Sequence, residues 1–194
     1  MKKIVLLGAL VAAISVSAVA LAAPLANPQK GDLKVNANYG FNQKEGSHDA
    51  HSRFVGGDVT YGLNNRWALQ YVNNATRGTT GRDIDEHYFN GIYRVTSYVS
   101  AYGGMSYIKT DLPASNKHAY GYQVGLRGNL PLTDRISGFA SVGVGDDSNT
   151  YLIGAGYAIT KDWDAHIQYR KSSIDTDNYN DDVRGWQVGM GYKF

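Results

Sequence analysis

Arg184-Gly185-Trp186-Gln187-Val188-Gly189-Met190-Gly191-Tyr192-Lys193-Phe194 is the stretch whose reading decides the fold. Trp186, Val188, Met190, Tyr192 and Phe194 fall on alternate positions, with Gln187, Gly189, Gly191 and Lys193 between them. A period of two is the period of a β-strand, so the segment predicts a strand with one apolar face and one small or polar face. An apolar row running out to a final aromatic needs apolar surroundings. A closed barrel in a membrane supplies them, because its last strand pairs with its first and its outer face meets lipid.

The start of the chain points the same way. Met1-Lys2-Lys3 is a short positive segment, Ile4 to Val19 is an apolar run broken only by small residues, and Ala20-Leu21-Ala22 is a small-x-small cleavage site. Residues 1–22 therefore read as a secretory signal peptide, 23–31 as a periplasmic N-terminal lead and 32–194 as the barrel. A membrane-anchoring helix is the competing reading of the first segment. The cleavage site, and the lack of a basic stop-transfer flank after it, favour the signal peptide. No cysteine follows the site, which excludes a lipid-anchored N-terminus.

Composition narrows the chemistry. The absence of cysteine excludes disulfides, thiolate zinc sites and thiol nucleophiles. Lys+Arg number 19 and Asp+Glu 17, and Lys2 and Lys3 lie in the signal peptide. The mature chain is thus nearly neutral, which gives no argument for nucleic acid. Tyrosine is abundant at 15 and glycine at 23, with only 4 prolines. That balance suits a membrane barrel with aromatic girdles.

A repeat sets the strand count. Leu63-Asn64-Asn65-Arg66-Trp67, Val95-Thr96-Ser97-Tyr98-Val99, Leu132-Thr133-Asp134-Arg135-Ile136 and Ile159-Thr160-Lys161-Asp162-Trp163 share one pattern: apolar, Asn or Thr, two mostly polar residues, apolar. Each reads as a tight hairpin turn. Between them lie polar stretches that read as longer loops: Asn42–Arg53, Asn73–Asp85, Lys109–His118, Gly145–Asn149 and Ser172–Asp182. Four turns and five loops predict ten strands with both ends on the periplasmic side. The alternative is eight strands, with the hairpin around Gly145–Asn149 outside the membrane. The apolar phase stays continuous across all four turns, and a one-residue slip would invert every face.

The overall plan, with the Tyr-x-Phe ending of the terminal strand, resembles the small bacterial outer-membrane β-barrels of the OmpA/OmpX/Opa type. The resemblance implies an all-β fold, a transmembrane antiparallel up-and-down barrel in a Gram-negative type envelope. Its usual eight strands differ from the ten read here. It also implies that Trp186, Val188, Met190, Tyr192 and Phe194 form the signal read by the barrel-assembly machinery. Outer-membrane lipid and lipopolysaccharide are the implied surroundings.

If the apolar face meets lipid, the other face lines the interior and carries Lys34, Asp58, Glu86, Arg94, Arg127, Asp164, His166 and Arg170. Buried charges need partners, and a barrel this small can be filled by its own side chains. The expectation is a largely plugged lumen in a barrel with a structural or surface-interaction role. A narrow porin passing small solutes is the alternative. His166 with Asp164 and Ser141 could suggest hydrolysis, but no nucleophile motif accompanies them, so no catalytic residue is assigned. His48-Asp49-Ala50-His51 and the acidic run Asp175 to Asp182 lack the spacing and scaffold of metal sites. They read as solvated loop residues, and no metal or cofactor is expected. The loops are where surface partners would bind.

Overall fold

The computed structural model describes residues 29–46, 50–78, 83–112, 115–176 and 179–194. Ten strands form: β1 (Leu33–Glu45), β2 (Ala50–Gly62), β3 (Trp67–Gly78), β4 (Asp83–Arg94), β5 (Val99–Leu112), β6 (Ser115–Pro131), β7 (Ile136–Gly145), β8 (Ser148–Ala158), β9 (Trp163–Thr176) and β10 (Tyr179–Lys193). Each is antiparallel to its neighbours in sequence, and β1 pairs with β10 to close the barrel. The ten-strand expectation holds over the eight-strand alternative. The deciding hairpin turns at Asp146-Asp147, between β7 and β8.

The alternation of faces is the one the sequence predicts. Tyr39, Val55, Tyr71, Phe89, Met105, Tyr122, Ile153, Ile167 and Met190 stand exposed on the outer surface. Asn36, Thr60, Gln70, Asn90, Ser106, Gln123, Gln168 and Gln187 are buried within. This is the inverse of a soluble domain, and it is stable only if the outer surface sits in hydrocarbon.

The four turns are built alike, and the repeat has a physical reason. In each, the first apolar residue donates its N–H to the carbonyl of the last: Leu63 to Trp67 and Val95 to Val99 at 2.9 Å, Leu132 to Ile136 at 2.9 Å, Ile159 to Trp163 at 3.0 Å. The Asn or Thr at the second position then accepts two backbone N–H groups inside the turn. Asn64 Oδ1 takes those of Arg66 and Trp67 at 2.8 and 2.9 Å. Thr96, Thr133 and Thr160 do the same through Oγ1. A short polar side chain that bonds the backbone two and three residues ahead replaces the ladder bonds missing at a strand reversal.

The expected contrast between short turns and long loops is not observed. The strands run on through most of Asn42–Arg53, Asn73–Asp85, Lys109–His118 and Ser172–Asp182. They are 10 to 17 residues long, whereas about 9–11 cross a bilayer. Beyond the apolar band the ladder needs no apolar alternation. Its outer face there is held by ion pairs instead: Arg77–Asp85 at 2.7 Å, Lys109–Asp111 at 2.6 Å and Lys171–Asp182 at 2.7 Å.

β1 carries a bulge between Phe41 and Lys44, with Asn42 at φ 51°. Asn tolerates this left-handed conformation better than most residues. The extra residue turns Gln43 inward, where its Nε2 donates to Trp186 O at 2.6 Å and Phe41 O at 3.3 Å. The side chain thereby restores bonding at the irregular point of the β1–β10 seam.

Thr160→Val keeps the shape of the fourth turn and removes the acceptor. It should cost about 1 kcal/mol in equilibrium urea titrations of folding into lipid vesicles. An unchanged midpoint would mean that the Thr hydroxyl is not what holds the turn.

The barrel interior as candidate functional site

The interior is filled in layers. At the end of the barrel away from the four turns, Ile84 of β4, Ile108 of β5, Ile174 of β9 and Val183 of β10 meet in one apolar cluster, each no more than 1% exposed. Phe54 of β2 is also wholly buried. A period of two makes this cap possible, because Ile84 lies two residues beyond Glu86, and Ile174 two beyond Ser172, on the same inner face.

The next layer is ionic. Arg170 Nη2 lies 2.8 Å from both Glu86 oxygens. Ser172 Oγ and the Tyr88 hydroxyl also donate to Glu86 Oε1, at 2.9 and 2.7 Å. Both charged side chains are almost wholly buried, and the Arg170 guanidinium lies 5.7 Å from the centre of the Phe54 ring. A buried pair this well bonded locks β4 and β9 together across the interior. Removing one partner from such a pair typically costs about 3–5 kcal/mol.

A cavity of about 100 Å³ lies below, lined among others by Asp58, Gln70, Tyr88, Arg127, Gln168 and Arg170. Asp58 Oδ2 accepts from Asn36, Thr60 and Gln70 at 3.0 to 3.1 Å. Gln70 in turn accepts from Arg127 Nη2. The amide thus bridges a carboxylate and a guanidinium. Arg127 also lies 4.3 Å over the Tyr102 ring, a cation–π contact. Tyr102 fits because Gly125 and Gly143 leave room beside it, where a Cβ at either would strike its ring or hydroxyl. Phe139 lies in the same way against Gly154.

Nearest the turns, Lys34 Nζ meets Asp164 Oδ2 at 2.6 Å. His166 Nε2 is 2.6 Å from Asn38 Oδ1, and its Nδ1 is 3.6 Å from Asp164 Oδ1. Arg94, at the end of β4, is half-buried, and its backbone N–H donates to Arg66 O. Just outside the strands, Asp32 meets Lys193 at 2.8 Å and accepts the Gln29 N–H at 2.8 Å. Partial burial pushes the Asp32 carboxyl up, but Lys193 and the Gln29 N–H outweigh it and hold it below the usual carboxylate range.

Lys34, Asp58, Glu86, Arg127, Asp164, His166 and Arg170 therefore share the interior. They divide into separate groups around the Glu86, Asp58 and Asp164 carboxylates. The His166–Asp164–Ser141 combination does not assemble. His166 is level, through Gly156, with Ser137 of β7. Ser141 is four residues further along β7, about 13 Å by strand rise. His48, Asp49, Asp177 and Asn178 of the two loop runs lie outside the described residues. Alternation alone puts Gln70, Tyr88 and Tyr102 on the inner face of their strands without showing that they fill the interior, and Phe54 is the filler that sequence reasoning missed. An aromatic in the polar phase of a strand, with glycines in the same phase of the neighbouring strands, is the signal that could have found Tyr102.

Comparisons with known proteins give one family and several solved structures to which the chain is similar. Among solved structures, the chain is similar to the N-terminal β-barrel domain of Pseudomonas aeruginosa OprF, with 10% identity, TM-score 0.43, and 86% of this chain and 100% of that one covered. Ail, the attachment invasion locus protein of Yersinia pestis, is 17% identical, with TM-score 0.40 and the same coverage. The NanC porin is 12% identical, with TM-score 0.44 and 84% and 99% covered. A search of curated proteins finds no match. The outer membrane protein beta-barrel domain family matches residues 9–194, nearly the whole chain. With its closed ten-strand barrel and apolar outer face, the chain belongs to that family and is an integral protein of the outer membrane.

Proposed function

We propose that this barrel is closed to solutes and serves a structural or surface-interaction role. The observation that carries this is the dry cap of Ile84, Ile108, Ile174 and Val183 across the interior. An ion crossing there would shed its water against apolar walls, the barrier by which hydrophobic constrictions close pores. The layer beneath the cap is tied by Glu86 and Arg170 rather than left as free charge. The interior groups Lys34, Asp58, Arg127, Asp164, His166 and Arg170 thus act as structural ties, and neither they nor Arg94 are assigned to catalysis. A narrow porin is the second reading. The polar cavity of about 100 Å³ favours it, because that cavity would be one stage of a water-filled path.

The rim with the four turns and both chain ends faces the periplasm in this proposal. The strand extensions beyond the bilayer, with Arg77, Asp83, Asp85, Lys109 and Asp111 on their outer face, then form a rigid polar collar at the cell surface. Lipopolysaccharide headgroups surround such a collar, and its hairpin tips are the places for surface partners. Trp186, Val188, Met190, Tyr192 and Phe194 form the outward row of the last strand and are proposed as the signal for the barrel-assembly machinery. Residues 1–22 are proposed as the cleaved signal peptide.

In planar lipid bilayers the purified protein should show no steady open state. Long-lived, uniform conductance steps would favour the porin and sink the closed-barrel proposal. Orientation is checked by single cysteines in the cysteine-free chain and a membrane-impermeant thiol reagent on intact cells. Asp146→Cys, exposed at the tip of the β7–β8 hairpin, should label and Lys161→Cys should not; the reverse pattern would invert the assignment. Deletion of Phe194 should lower the yield of heat-modifiable barrel in the outer membrane several-fold. Assembly at wild-type yield would remove the terminal aromatic from the signal.

A further inference from the structure

Two of the four turns share a device on the outer surface. In each, an arginine just before a strand reaches the hydroxyl of a tyrosine on the neighbouring strand. Arg66 Nη1 lies 3.3 Å from Tyr93 OH, and Arg135 Nη1 lies 3.4 Å from Tyr157 OH. Register produces the match, because Trp67 pairs with Tyr93 and Ile136 with Tyr157. At the first site the Trp67 ring covers Tyr93, with centroids 4.9 Å apart. At the second, aliphatic Ile136 stands in that position, and the outer surface falls away into a shallow, open apolar groove.

The groove has a direction. Ile136, Tyr157, Ala165, Met190 and Ala37 are successive partners across β7, β8, β9, β10 and β1. A parallel row begins at Ala155 of β8 and ends at Val55 of β2. Ala37, Ala155 and Ala165 keep the floor low, while Tyr39, Ile167 and Met190 stand above it. Six strands give five interstrand spacings of about 4.8 Å, or about 24 Å. Strands of such barrels tilt about 35–45°, so a row across them climbs about 15 Å along the barrel axis, a little over half of an apolar band of about 25 Å and so about the depth of one leaflet. Tyr157 and Ile136 belong both to the groove and to the Arg135 turn, so the apolar channel ends at an exposed guanidinium and a phenol hydroxyl.

We propose that the groove and the Arg135–Tyr157 pair together form a binding site for one anionic phospholipid. The phosphate sits between the Arg135 guanidinium and the Tyr157 hydroxyl, and an acyl chain lies along the groove. A guanidinium fork matches phosphate oxygens in geometry and charge, and the phenol adds a second donor. Asp134, an acidic residue, stands on the same turn. Selectivity therefore comes from the combination of groove and arginine, not from a general basic patch. The assignment of this lipid to the periplasmic leaflet rests on the orientation proposed above; the site itself does not.

The test is native mass spectrometry of the delipidated barrel in detergent, offered phosphatidylglycerol or phosphatidylcholine of the same chain length. Wild type should retain one phosphatidylglycerol at least fivefold better than phosphatidylcholine. Arg135→Gln should abolish the preference. Ala155→Leu with Ala165→Leu, which fills the groove on the lipid face, should lower retention of both lipids. Arg66→Gln, at the turn where Trp67 covers the tyrosine, should leave retention unchanged. Heat-modifiable gel mobility confirms that each variant is folded. The proposal is overturned if wild type retains the two lipids equally, if Arg135→Gln or the filled groove retains phosphatidylglycerol as wild type does, or if Arg66→Gln loses as much as Arg135→Gln. Purified protein reports on the site whichever way the barrel inserts and whether or not it conducts, so a failure here is separable from a failure of the closed-barrel proposal.

Discussion

Pairing of β1 with β10 is the bond on which everything else depends. In hydrocarbon an unpaired N–H or C=O costs several kcal/mol, so a sheet with open edges cannot stay there. The two strands that must meet lie at opposite ends of the described chain. Their ladder runs from Lys34 opposite Lys193 to Glu45 opposite Val183. At one end it is extended by the Phe194 N–H to Leu33 O at 2.8 Å and by the Asp32–Lys193 ion pair. At the other it passes the Asn42 bulge, where Gln43 repairs the bonding with its side chain. Closure also fixes the phase of every strand between. A single slip at this seam would turn the Trp186 row inward and the Gln187 row into lipid.

Once the sheet is closed, the interior has to be filled, and the pleat decides how. Each strand offers every second residue, so volume is balanced between neighbours rather than along one strand. Tyr102 takes the space left by Gly125 and Gly143, Phe139 the space beside Gly154, and Gln43 the space beside Gly185. The charges follow the same rule. Glu86 of β4 faces Arg170 of β9, and Lys34 of β1 faces Asp164 of β9. The first tie crosses the barrel and the second passes over β10, and neither joins hydrogen-bonded neighbours. They hold its cross-section in a way that backbone ladders, which run only from strand to adjacent strand, cannot.

What was legible in the sequence was local. Alternation in Asp32–Phe41 or Trp186–Phe194 reports the two faces, because lipid demands apolar side chains at every second position. The turn repeat reports the strand count, because Asn64, Thr96, Thr133 and Thr160 each serve one backbone geometry. The strand extensions were hidden for the complementary reason. In Asn73–Asp85 and Lys109–His118 both faces of the strand are largely polar, so a hydrophobic period has nothing to register. The bulge at Asn42 was hidden because a single inserted residue looks like the onset of a loop. The interior pairs were beyond reach in another sense. Alternation put Glu86 and Arg170 on the same side of the sheet, but which strands face each other across a barrel follows only from its closure.

The two ends of the barrel interior differ in a way that bears on what the protein can do. Towards the turns the filling is ionic and amide-rich: Lys34, Asp164, His166, Asn38 and the Asp58–Gln70–Arg127 chain. Towards the hairpin tips it becomes aliphatic at Ile84, Ile108, Ile174 and Val183, at the level where the outer surface turns from apolar to charged. The barrel thus inverts its polarity where it leaves the bilayer: inside it goes from polar to apolar, outside from apolar to polar. Within the membrane the lipid stabilises the outer face, and many of the polar groups inside bond one another. Above it no lipid remains, so the strand extensions need a core of their own, and the isoleucine cluster is that core. The same residues that let the sheet project into water therefore also fill the barrel interior at that level.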